Sequence, residues 1–327
     1  MIEQILPDLF RIEIPLPNNP LRSLNSYLIR NQERFLMIDT GMNRKACLDP
    51  MISSLKELGV DLNKTDFFIT HLHADHLGLV GELSRENSTI YFNRVEAPIV
   101  NPKKDQAEKR FRGIFKFFIS NGFPAEELEK AFADHPIQKY RQKGPQVFSL
   151  LKEGNTIDIG DYSFRCIETP GHSPGHMCLY EAEKKILVSG DHILFDITPN
   201  ITWWPELVNP LKSYLASLEK VSTLDVGLVL PGHRSICQDY QGRIKELQEH
   251  HKKRLDEVLF ALEDGEKTGW QIAPYISWDI DIKSWEQFPG IQKWFAFGET
   301  LAHILFLEAE KRIKRKMRND VVFFSLE

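Results

Sequence analysis

Six consecutive residues, His71-Leu72-His73-Ala74-Asp75-His76, carry three imidazoles and a carboxylate. A histidine used only for packing stands alone with one hydrogen-bond partner, so a cluster this dense points to metal ligation. Three further places set the same residue types after a run of strand formers. "ETPGHSPGH" supplies His172 after a strand ending at Thr169, "LVSGDH" supplies Asp191, and "LVLPGH" supplies His233. Loops at strand ends hold binding residues on a rigid frame. Gly171, Gly190 and Gly232, each directly before a ligand, let the backbone turn tightly there. Residues 71 and 73 stand two apart on extended chain, so their rings face the same side. Neutral imidazole with carboxylate suits zinc, and also iron or manganese. His135, His176, His250, His251 and His303 fall outside the pattern and receive no role. His192, beside Asp191, is open to a substrate contact, an outer hydrogen bond or plain packing.

The elements that must position these residues are short. "SYLIR" (26–30) and "RFLMID" (34–39) read as a hairpin, as do "TIDIGDYSFRCIET" (156–169) and "HMCLYEAEKKILVSGD" (176–191). "DFFIT" (66–70), "TIYFN" (89–93) and "DVGLVLPGH" (225–233) are further strands, and helical patterns cover 45–59, 75–86 and 211–222. Strand pairs interleaved with helices predict an α/β molecule, two packed sheets covered by helices. Residues 96–150 break the rhythm with a mostly helical insertion rich in basic residues and phenylalanine. From about 240 the chain turns helical again, ending in "KRIKRKMR" and a strand "VVFFSL". The predicted division is therefore 1–239 and 240–327.

H-x-H-x-D-H, a histidine after T-P-G, an aspartate after S-G and a last histidine after P-G, with "IDTG" at 38–41, resemble the metallo-β-lactamase superfamily. The similarity is nearest to its glyoxalase II-like hydrolases and spans roughly residues 8–240. It implies an αββα sandwich and two divalent metal ions, zinc first. His71, His73 and His172 would hold one, Asp75, His76 and His233 the other, and Asp191 would bridge them. It also implies Asp39 and Thr70 as outer partners of the ligand histidines, and Asp75 and Asp191 as the catalytic carboxylates. Two such metals about 3.5–4 Å apart share a hydroxide that attacks an ester, thioester or lactone. Two alternatives stay open, a nuclease or phosphodiesterase and a sulfur dioxygenase with a single iron. The segments "RLDEVLFALEDGEKTGWQIAPYI" and "AFGETLAHILFLEAEKRIKRK" resemble the winged-helix-like C-terminal domain of a group that includes an endoribonuclease-like relative. No basic, tyrosine-lined cradle for glutathione is found.

Composition bounds the partners. The 327 residues are 42% hydrophobic and 27% charged with a net charge of −5, which suits a sizeable core and does not advertise a polyanion binder. Glu3 and Asp8 stand where a signal peptide wants positive charge, and no apolar run reaches about 20 residues. The four cysteines, Cys47, Cys166, Cys178 and Cys237, are scattered, as in a reduced cytoplasmic protein. Phe111, Phe115 and Phe118 make a helical stripe that faces either the core or a pocket. In the second case Phe115 joins Phe195, Trp203 and Trp204 as substrate-binding residues, and the ligand is a small, anionic or acyl-bearing molecule. The basic run 311–318 reads as the solvated face of a long helix. Nucleic acid is not favoured as a partner, no membrane is expected, and residues 240–327 pack on the catalytic part or form a homodimer contact.

Overall fold

The computed structural model describes residues 1–236, 239–279 and 284–327; Cys237 lies outside them. A seven-stranded sheet runs in chain order: β1 (Ile2–Leu6), β2 (Leu9–Pro15), β3 (Ser23–Arg30), β4 (Phe35–Ile38), β5 (Thr65–Phe68), β6 (Ile90–Asn93) and β7 (Ser149–Leu151). Its first half is antiparallel and its second half, from β4 onward, parallel. A second sheet contains β8 (Thr156–Ile159), β9 (Tyr162–Glu168), β10 (Met177–Glu181), β11 (Ile186–Gly190) and β12 (Leu228–Pro231), with only β11 and β12 parallel. The three predicted hairpins are present as β3–β4, β8–β9 and β10–β11.

Side-chain alternation explains why the sheets stack. In β3, Tyr27 and Ile29 point one way and Leu24 and Leu28 the other; in β10, Met177 and Leu179 oppose Cys178 and Tyr180. One set from each sheet meets in a dry layer that joins Ile38 and Phe68 to Phe164, Val188 and Leu230. The outer face of the first sheet is covered by α1 (Lys45–Glu57) through Cys47, Met51 and Leu55, and by two helical turns, α2 (Ala74–Leu77) and α3 (Val80–Leu83). The outer face of the second is covered by α8 (Pro210–Ser222), α9 (Tyr240–Ala261) and α11 (Gly290–Ala309). Between them lie α4 (Ala97–Val100), α5 (Lys104–Ser120), α6 (Ala125–Asp134) and α7 (Pro136–Tyr140) of the insertion, and the short α10 (Gly269–Ile272). The order is helix, sheet, sheet, helix. Phe118 and Leu128 of the insertion share one apolar cluster with Leu255, Trp294, Phe297, Leu301 and Ile304.

Two expectations need correction. The helix predicted over 75–86 is two turns, because the Leu79 amide donates to the Gly41 carbonyl at 2.9 Å instead of continuing the ladder. The basic run is not a helix face. The chain turns at Lys311, where φ is 56°, and enters β13 (Ile313–Arg318), paired antiparallel with β14 (Val321–Leu326). Asn319 and Asp320 both take positive φ, the conformation that closes a two-residue hairpin. No helix among the described residues is long and apolar enough to cross a membrane.

Candidate metal centre

All seven residues of the ligand pattern sit at the same end of the sandwich, just past strand C-termini. His71 and His73 follow β5, and Asp75 and His76 occupy the single turn of α2. His172, Asp191 and His233 follow β9, β11 and β12. Both sheets are stitched together here: the Met177 amide donates to the Thr70 carbonyl, and the Asn25 amide to the Gly232 carbonyl, at 2.9 and 2.7 Å. A side chain at position 232 would put its Cβ 2.5 Å from Asp191 Oδ1, so close approach, not a left-handed backbone, requires that glycine. Gly190 needs both, with φ of 49° and Thr70 and His176 against its Cα.

The atoms converge in two groups. Ligand atoms of His71, His73, His172 and Asp191 lie within 4.8 Å of one another, as do those of Asp75, His76 and His233. Asp191 stands between the groups, with Oδ2 3.6 Å from His172 Nε2 and 3.4 Å from His233 Nε2, and Oδ1 3.5 Å from His76 Nε2. All seven are buried except His73, which is half-buried.

The outward nitrogens decide what the inward ones can do. His172 Nδ1 is 2.8 Å from the Asn200 carbonyl and His233 Nδ1 is 2.7 Å from the Ser23 carbonyl. A carbonyl only accepts, so both Nδ1 atoms carry the hydrogen and both Nε2 atoms of the neutral rings point inward as lone pairs. His76 Nδ1 donates to Asp39 Oδ2 at 2.7 Å in the same way. Thr70 Oγ1 gives its proton to Asp39 at 2.8 Å and so accepts from His71 Nδ1 at 3.0 Å. Yet His71 Nε2 and His172 Nε2 come within 2.9 and 3.0 Å of His73 Nδ1, and His76 Nε2 lies 3.3 Å from His233 Nε2. A hydrogen on His73 Nδ1 can bridge only one of its two neighbours, and the lone pairs left facing one another repel unless a cation lies among them. Asp191 Oδ1, buried and without a hydrogen-bond partner among the described residues, asks for the same thing. The donor set fits metal ions.

Charge separates the two groups. Burial, then repulsion from neighbouring imidazoles, holds His71 well below the usual histidine range and brings His73 down to about 3. Burial opposes protonation of His233 too, but Asp191 and Asp75 outweigh it and carry His233 up to about 10. His76 is likewise raised, against burial, by Asp39 and Asp191. Asp75 moves the other way: burial would raise it, and His233 and His76 bring it to about 2. One group is thus neutral imidazole, while in the other a proton stands where a metal would.

Some positioning residues left no mark in the sequence. His176 bonds Thr169 Oγ1 at 2.8 Å and accepts from the Asp191 amide at 3.2 Å, so it orients Asp191. Glu96, at the head of the insertion, accepts from Ser173 Oγ at 2.5 Å and the Gly175 amide at 2.9 Å and holds the loop that carries His172. Asn200 and Ser23 act through main-chain carbonyls, which no residue type announces. His192 is buried against Tyr214, with neither nitrogen bonded among the described residues. Of the four aromatic residues expected at a substrate pocket, Trp204 lies beside the cluster, its ring 5.9 Å from that of His73 and its N–H donated to the His172 carbonyl at 3.0 Å. Trp203 stacks on Phe117 at 3.9 Å, Phe115 packs on Phe111 and Phe132, and Phe195 is half-buried against the core shared with the C-terminal helices.

A family model described as the metallo-beta-lactamase superfamily matches residues 20–233, which takes in all seven converging residues. The chain belongs to the metallo-β-lactamase superfamily. Its members typically bind divalent metals, in keeping with the His and Asp groups above. The chain is 25% identical to "Probable metallo-hydrolase YqjP" of Bacillus subtilis (strain 168) over 97% of either protein. It is 27% identical to an acyl-coenzyme A thioesterase of Homo sapiens, over 64% of this chain and 72% of that one. Among solved structures, a metallo-beta-lactamase family protein from Thermus thermophilus superposes with a TM-score of 0.82 at 27% identity, covering 99% of this chain and 100% of that one. Superfamily and relatives together mark the chain as a metal-dependent hydrolase.

Proposed function

We propose that this hydrolase cleaves an acyl thioester, or a related ester or lactone, of a small molecule in the cytoplasm, and that it does so with two divalent metals, zinc first. The observation that carries the metal half is the inward set of lone pairs with Asp191 between the two groups. His71, His73 and His172 would hold one ion and Asp75, His76 and His233 the other, shared through Asp191. When bound, such ions polarise a carbonyl and lower the pKa of water. The chain's own residues do the rest. Asp39 and Thr70 keep the ligand rings in the ligating tautomer. Asp75, ionised throughout the neutral range, is the group we assign to take a proton from the attacking water. Trp204 closes one side of the cluster with an apolar ring, which suits an acyl group.

The thioester half rests on the name of the human relative, an acyl-coenzyme A thioesterase. We keep residues 240–327 as a C-terminal unit of winged-helix-like order, helix, helix and hairpin. Elemental analysis of the purified protein, followed by assay on acyl thioesters, lactones, phosphodiesters and short RNA, tests the proposal. Two zinc ions per chain with thioester turnover is the expected result. A single iron with oxygen consumption would move the chain to the dioxygenase reading, and turnover of RNA alone to the nuclease reading.

A further inference from the structure

Behind His172, on the side away from the other ligands, a buried polar chain leads into the C-terminal helices. His172 Nδ1 donates to the main-chain carbonyl of Asn200. The Asn200 side chain donates to Glu299 Oε2 at 2.7 Å, and the other oxygen of Glu299 is paired with Arg254. Glu299 lies on α11 and Arg254 on α9, and both are buried, at 4% and 7% exposure. Arg254 also stands over the Trp278 ring at 4.6 Å and reaches the Ser277 carbonyl. Taking two charges out of water carries a large desolvation penalty, and apolar residues of the same size often serve stability as well or better. The pair is therefore weak evidence of a stabilising role.

We propose that Glu299 is a positioning residue for the ligand His172, acting through Asn200, and that Arg254 serves to keep Glu299 charged. The inference rests on His172 being a metal ligand. Residues 191–209 form an irregular connection between β11 and α8. Arg243 of α9 holds the Leu194 and Ile197 carbonyls, and the Trp203 amide holds to Gly298 of α11. At Asn200 itself the tether is its side chain, on Glu299 and, at 3.5 Å, the Phe295 carbonyl. The charge-assisted bond to Glu299 is the stronger of these, because the ionised carboxylate binds the amide about twice as strongly as a neutral acceptor. Outer partners of this kind set ring orientation and ligand basicity, and their loss weakens metal binding about 10–100-fold. The nearby His250 and His251 do not make this cluster a metal site of its own. Both oxygens of Glu299 are engaged, and the Arg254 guanidinium opposes a further cation.

The test uses the full-length protein and zinc or cobalt as probe, with affinity read by chelator competition and site geometry by the cobalt spectrum. Three variants separate the explanations. Asn200→Ala keeps the carbonyl that His172 uses and removes only its tether. Glu299→Gln keeps shape and removes charge. Arg254→Met with Glu299→Met replaces the ion pair by apolar volume and is expected to fold with an unchanged thermal midpoint. Each should weaken one of the two metals about 10–100-fold and alter its cobalt spectrum, leaving the other metal as in the parent. His172→Ala should strike the same metal harder. Parent-like affinity at both metals in folded Asn200→Ala and in the double variant would overturn the proposal. If His172→Ala itself left metal content intact, the ligand assignment beneath it would fall instead. A third equivalent of metal, lost with Glu299, would replace positioning by direct ligation and also overturn it.

Discussion

At the scale of single residues, the centre is a set of tautomers held by two main-chain carbonyls, the Asp39 carboxylate and a Thr70 hydroxyl whose own proton is already given to Asp39. That arrangement predicts different behaviour for its two halves when the metal-free protein is loaded. The His71, His73 and His172 imidazoles are already neutral near pH 7, so filling their half should release no proton and depend little on pH between 6 and 8. Against burial, Asp39, Asp191 and Asp75 push His76 and His233 towards the protonated form, so ligation in that half displaces a proton. Affinity for the second metal should therefore rise with pH over that range, about tenfold per unit for each proton displaced. Calorimetry in buffers of different ionisation enthalpy counts those protons, and release with the first metal or with neither would contradict the assignment. Asp191→Ala should abolish activity and lower metal content with the fold retained, since Asp191 faces both groups. An Asp191→Ala enzyme with full turnover would remove the dinuclear proposal altogether.

At the scale of elements, α5 of the insertion serves two jobs. The inward side of α5 is core: Phe118 is 2% exposed and lies against Trp294 and Phe297 of α11. Phe118→Ala should cost ~3–5 kcal/mol of stability while turnover per folded molecule stays near the parent value. Denaturation followed by activity normalised to folded protein separates the two. The middle of α5 reaches the loop that carries Trp204, where Arg110 forms a two-pronged pair with Glu206 and its guanidinium lies 5.8 Å above the Trp204 ring. Trp204→Ala should raise KM about tenfold, equivalent to ~1.4 kcal/mol of lost contact, with metal content preserved. Unchanged kinetics over several acyl substrates would leave Trp204 a packing residue.

At the scale of the whole molecule, residues from 240 onward complete the outer layer of the second sheet rather than standing clear of it. Leu255, Trp294, Leu301 and Ile304 enter the same apolar cluster as Cys178, Leu187 and Val229 of the strands. The hairpin β13–β14 carries the basic run, but Arg315 is already paired with Glu308 and Arg318 with Glu266. Fewer cations are then left to displace counterions from a phosphate backbone. Binding to RNA or duplex DNA at ~0.15 M salt should accordingly be no tighter than the micromolar range typical of non-specific contacts. Submicromolar binding that disappears in Lys314→Ala/Lys316→Ala, measured by anisotropy, would return nucleic acid to the list of partners.

What the residues alone determined is the part of the protein written in short range. Alternation in "RFLMID" and "HMCLYEAEKKILVSGD" prescribes strands with two apolar faces, and hence paired sheets with helices on both sides. The H-x-H-x-D-H run, with His172, Asp191 and His233 after their own strands, prescribes the chemistry, because residue type and strand end are local properties. Tertiary structure decided what depends on main-chain atoms and on distant neighbours. The Asn200 and Ser23 carbonyls that orient His172 and His233 have no signature, since every residue owns a carbonyl. Glu299 reaches Asn200 from 99 residues away along the chain. The basic run reads equally well as helix or strand by composition, and only the reversal at Lys311 and the pairing with β14 choose the strand. Trp203 and Trp204 are neighbours of one type, yet one stacks on Phe117 and the other on the His73 ring, because the backbone between β11 and α8 follows no period that a sequence could display.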